Sequence, residues 1–65
     1  METGLRLLMT DGAISLTFQP RLTVEQYAEL ATIVENSTTK AELCFAVERA
    51  VEHWGIQCKA ENVSI

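Results

Sequence analysis

The chain is poor in the residues that chemistry draws on. It has one histidine, His53, one aspartate, Asp11, and three serines, Ser15, Ser37 and Ser64, none of them in a motif. A hydrolase needs a nucleophile, a base and a group that orients the base, so no catalytic residue is expected. Its three glycines, Gly4, Gly12 and Gly55, stand apart and make no phosphate-cradling loop. The two cysteines, Cys44 and Cys58, fall far below the density of small secreted folds. There is no Cys-x-x-Cys, and Cys44, His53 and Cys58 would still lack a fourth metal ligand. The expectation is a non-enzyme without metal or cofactor, its thiols free in a reducing, cytoplasmic compartment. Apolar runs such as Leu7-Leu8-Met9 are too short to span a membrane. No basic leader followed by an apolar stretch opens the chain. Five Lys+Arg against nine Asp+Glu leave a net charge of -4, without the basic footprint of a nonspecific nucleic-acid binder.

What is present points to a small folded domain. The 65 residues allow one domain, 1–65, and 48% hydrophobic residues with 22% charged argue against disorder. Thr10-Asp11-Gly12-Ala13 lies between two apolar runs, and Asp-Gly suits a type I′ hairpin turn. With Asp11-Gly12 as the loop of a hairpin over 5–19, Met9 faces Ile14, Leu7 faces Leu16 and Leu5 faces Phe18. That register gives one apolar face; Leu8 with Ser15 and Arg6 with Thr17 take the other. Pro20 ends the second strand.

Two helices follow, over 24–36 and 40–54. Thr23 with Gln26 forms a capping box, and Leu22 with Tyr27 a hydrophobic staple. Val24, Tyr27, Leu30, Ala31 and Val34 share the apolar face of the first helix. Thr39 and Glu42 form a second capping box ahead of an apolar stripe of Leu43, Val47, Ala50, Val51 and Trp54, with Cys44 beside it. Gly55 suits the left-handed position after a helix, with Ile56 next in a Schellman ending. The tail, 56–65, carries Cys58, Val63 and Ile65 and leaves a short C-terminal strand open. The fold expected is α+β: an N-terminal β-hairpin followed by two antiparallel-packed helices.

Phe45 stands out. Two residues along a helix turn about 200°, so Phe45 lies away from Val47, on the face that carries Glu42, Arg49 and Glu52. Either the tail or hairpin covers it, or it meets a partner, as interface aromatics do. Glu42, Phe45 and Arg49 are therefore the candidate partner interface. A core this small, with an exposed edge on a two-stranded ribbon, favours a homodimer or a bound partner.

The strand Ile14-Ser15-Leu16-Thr17-Phe18-Gln19, the start Thr39-Lys40-Ala41-Glu42-Leu43 and the pairs Ala46-Val47 and Ala50-Val51 also carry a resemblance. From Ile14 to Trp54 the chain resembles a ribbon-helix-helix transcriptional regulator. That resemblance implies a dimer whose paired strands direct Ser15, Thr17 and Gln19 into the DNA major groove. The residues themselves favour a non-enzymatic protein-interaction module. It would be a small acidic inhibitor or accessory factor of a bacterial or phage cytoplasm that binds a protein, not a membrane. The DNA-binding regulator is the alternative, and nucleic acid is a partner only under it.

Overall fold

The structure, a computed structural model, describes residues 2–63; Ser64 and Ile65, counted in the tail from sequence, lie outside the described residues. Its elements in order are β1 (Thr3–Met9), β2 (Gly12–Gln19), α1 (Val24–Glu35), α2 (Lys40–Trp54) and β3 (Gln57–Val63). The strands form one antiparallel sheet in the order β1-β2-β3, so β2 is central. The helices pack on one face of it, in the α+β arrangement expected.

The hairpin forms in a different register. Met9 pairs with Gly12, Leu7 with Ile14 and Leu5 with Leu16, and Phe18 pairs with Thr3. The loop is Thr10-Asp11 rather than Asp11-Gly12, a slip of two residues. An even slip keeps every side chain on its face, so Leu5, Leu7, Met9, Ile14, Leu16 and Phe18 still share the core side. The type I′ geometry is absent: among the described residues no non-glycine has positive φ, and Gly12, at φ 131°, opens β2 instead. The cause lies outside the turn. Thr10 donates from its backbone N–H and its hydroxyl to the Thr38 carbonyl, at 3.0 and 2.6 Å, and Asp11 Oδ1 accepts from the Lys40 N–H at 2.9 Å. The turn is thus pinned to the start of α2, whose first N–H groups have no partner within the helix.

Both helices start where their caps direct. Thr23 Oγ1 accepts from the Gln26 N–H at 3.1 Å, and Gln26 Oε1 accepts from the Thr23 N–H at 3.0 Å, closing the capping box of α1. In α2 only half of that motif exists. Thr39 Oγ1 accepts from the Glu42 N–H, but the Glu42 carboxylate takes the Thr38 and Thr39 hydroxyls rather than a backbone N–H. At the other end Gly55 adopts φ 73°, ψ 29°, and the Ile56 N–H reaches the Val51 carbonyl at 3.1 Å, a Schellman ending.

The core is built from Met9, Ile14, Leu16, Phe18, Leu22, Leu30, Leu43 and Val47, with Ile33, Val34, Val51, Trp54 and Ile56 packed against it. The buried arc of α1 is turned from the expected one. Leu30, Ile33 and Val34 face inward, while Val24 is 86% and Tyr27 42% exposed. The tail is strand β3, paired with β2 from Gln19–Gln57 to Ala13–Val63. It closes one edge of the hairpin; β1 remains an edge.

Candidate interaction surface

The α2 helix turns Leu43, Val47, Val51 and Trp54 to the core and leaves the opposite arc to solvent. On that arc Phe45 is 62% exposed. Neither tail nor hairpin covers it, because β3 is taken up in the sheet on the far side of α2. The Arg49 guanidinium, one turn on, stands over the ring, its Cζ 5.8 Å from the centroid. That is cation–π contact distance, worth about 0.5–1 kcal/mol at an exposed site, and it orients both side chains.

Phe45 is the ridge between two open hollows. One, of about 630 Å³, is lined by Phe45, Arg49, Glu52 and His53. The other, of about 370 Å³, lies toward the end of α1 and is lined by Phe45, Ala46, Glu42, Thr32, Ile33, Asn36 and Ser37. Glu42 reaches the second hollow while capping α2: the Thr38 hydroxyl donates to its Oε1 at 2.7 Å and the Thr39 hydroxyl at 3.2 Å. These donors hold its carboxyl below the ordinary carboxylate value.

Of the residues singled out from sequence, Phe45 and Arg49 are in contact, and Glu42 lies on the same arc, held by its caps. Sequence reasoning missed the wall supplied by Thr32 of α1 and by Asn36 and Ser37 just beyond its end. No periodicity along one helix reports the end of its neighbour. The lining of the larger hollow includes His53 and Glu52 but no hydroxyl or thiol.

Ser15, Thr17 and Gln19 lie on β2, on the sheet face opposite the helices, in rows with Glu61, Lys59 and Gln57 of β3. Lys59 Nζ pairs with Glu61 Oε1 there at 3.2 Å, both exposed. Both edges of β2 are engaged. Cys44 and Cys58 are free and half-buried, and they share a cleft of about 240 Å³ with Leu16, Val47, Glu48, Val51 and Ala60. His53 opens to the other side of α2, so these three candidate ligands do not converge. Burial, then the neighbouring Cys44 and Glu48, pushes the Cys58 thiol up. Among the described residues no three His, Cys, Asp or Glu side chains group as a metal site would need, and no helix is long and apolar enough to cross a membrane. No protein-family model, curated protein or solved structure matches the chain.

Proposed function

We propose that this chain is a non-enzymatic protein-interaction module whose working surface is the outer arc of α2. The observation that carries the reading is Phe45: a large aromatic, 62% exposed, pinned by Arg49 between two hollows. Leaving it there gains nothing for the fold, since Leu43 and Val47 already fill the core side of α2. A partner would insert apolar side chains on either side of the ring and present basic groups to Glu42 and Glu52. The net charge of -4 favours such a partner and steers its approach. A small acidic inhibitor or accessory factor in a bacterial or phage cytoplasm fits these properties.

A DNA-reading ribbon would need a free edge on the strand that carries Ser15, Thr17 and Gln19. The central place of β2 weighs against it, as does the charge. Heparin and DNA retention at low salt separates the two readings: the protein module passes through, and firm, sequence-selective retention would restore the regulator.

A further inference from the structure

The other side of the molecule carries a second unfilled surface, and it does not depend on Phe45. Among the described residues the large apolar side chains left exposed are Leu8, Val24, Tyr27 and Phe45. Three of these four belong to β1 or α1. Between those elements runs an apolar groove of about 350 Å³, lined by Leu5, Leu7, Tyr27, Leu30, Ala31, Val34 and, at its rim, Glu35. Its floor borders the free edge of β1, where alternate N–H and C=O groups of Thr3–Met9 have no strand beside them.

The two edges of the sheet are not alike. β3 carries Gln57, Lys59, Glu61 and Asn62, the charged and polar decoration that blunts an edge against further pairing. β1, reading Thr-Gly-Leu-Arg-Leu-Leu-Met, has Arg6 as its sole charge and no proline. We infer that a second copy of this chain pairs antiparallel along β1, extending the sheet to six strands and laying α1 beside its symmetry mate over the joined grooves.

The register follows from the sequence of β1. A two-fold axis at Arg6 would set two guanidinium groups directly opposite each other, which is unfavourable. An axis at Leu5 would pair Thr3 with Leu7 and put Gly4 in the ladder, where it has no side chain to pack. An axis at Leu7 pairs Leu7 with Leu7 and Leu5 with Met9 of the second copy, all apolar, on the helix side. On the open side it sets Arg6 against Leu8 of the second copy. Leu8 is 76% exposed in one chain, and the aliphatic stem of the arginine would cover it. Tyr27, Ala31 and Val34 then meet their counterparts across the axis. A standard interface takes about 800 Å² from each partner, roughly a sixth of the 4595 Å² surface of the chain. The β1 edge with the adjoining face of α1 is the surface from which this pairing would draw it.

The test uses Leu8, which lies outside the core. Sedimentation equilibrium would be run on the full chain and on Leu8→Lys and Leu8→Glu, with circular dichroism to confirm that both variants fold. The wild type should associate to a dimer. Leu8→Lys places like charges opposite at two symmetric positions and should weaken the dimer at least about tenfold. Leu8→Glu offers Arg6 an opposite charge and should dimerise as well as the wild type or better. A wild type that stays monomeric at high concentration overturns the inference and leaves the edge for a foreign strand. Equal weakening of dimerisation by both variants overturns the Leu7 register, since that result sets Leu8 against its own counterpart, and no effect of either overturns the pairing along β1.

Discussion

Asp11 caps a helix that begins 29 residues further along the chain: its Oδ1 accepts the backbone N–H of Lys40 at 2.9 Å. The bond joins the hairpin turn to the first turn of α2, and Thr10 reinforces it through the Thr38 carbonyl. One aspartate therefore closes the loop and supplies an acceptor to an otherwise unpaired helix donor. Asp11→Ala should cost about 1 kcal/mol, the usual penalty for losing a helix cap, although the site is exposed and outside any helix. Chemical denaturation of the two proteins measures it, and a change within error would show the bond to be idle.

That contact also explains why the turn was misread from sequence. Asp-Gly is a strong local signal, and taken alone it puts the glycine inside the loop. The partner that overrides it, Lys40, lies beyond the second strand and the whole of α1. By contrast the cap residues Thr23, Gln26 and Thr39 and the stop at Gly55 act within a few residues of themselves, and the helix limits follow from them. Strand β3 is open rather than fixed in the sequence, and the structure forms it over Gln57–Val63; its core-side residues, Cys58, Ala60 and Asn62, are small or polar and give only a weak signal. Pairing with β2, rather than an apolar alternation of its own, makes it a strand. The Phe45 arc was legible from helical phase alone. The groove beside β1 was not, since it depends on α1 being rotated toward Ile33.

The shared face of the hairpin predicts opposite tolerances at neighbouring positions. Leu16 is fully buried on the core side of β2 and Ser15 points to the other face. Leu16→Asp should lose more than about 3 kcal/mol, because it buries an unpaired charge. Ser15→Asp, beside Arg6, should stay within about 1 kcal/mol of the wild type. Thermal melts of the pair decide it; equal shifts would contradict the assignment of faces.

Trp54 is joined to α1 through its indole Nε1, which donates to Glu29 Oε2 at 2.7 Å. Glu29→Ala should remove about 1 kcal/mol or somewhat more, as expected for a hydrogen bond to a charged acceptor. Glu29→Gln, which keeps an oxygen in reach, should recover part of it. Trp54 is the sole tryptophan, so its emission reports the change directly. An unchanged spectrum and stability in Glu29→Ala would show the bond to be absent in solution.

Acid should loosen the start of α2. The Thr38 and Thr39 hydroxyls hold the Glu42 pKa below its ordinary 4.5 in the folded chain. A depressed folded pKa gives stability that is present above 4.5 and is lost as pH falls through the lower folded value. The difference in melting temperature between wild type and Glu42→Gln should therefore be widest near neutral pH and shrink in that acid window. A difference that stays constant to low pH would contradict the carboxylate's part in the cap.

The thiol of Cys58 faces the cleft under α2 and is pushed up mainly by burial. Less of it is thiolate at a given pH than in an unfolded chain, so native alkylation should lag well behind alkylation in denaturant. Mass spectrometry after timed iodoacetamide treatment follows each cysteine. Equal rates for Cys58 in the two conditions would contradict its half-buried placement.

The account rests most heavily on Phe45 serving an interface rather than the fold, and one paired measurement tests it. Wild type and Phe45→Ala would be melted side by side and used, immobilised at equal density, to retain binding proteins from a bacterial extract, the retained proteins being compared by quantitative mass spectrometry. The account predicts melting curves that agree within about 0.5 kcal/mol, as for a surface substitution. It also predicts a protein retained by the wild type and at least about tenfold depleted with Phe45→Ala, the cost of losing an interface aromatic. A large fall in melting temperature with unchanged retention would make Phe45 a structural residue and contradict the account.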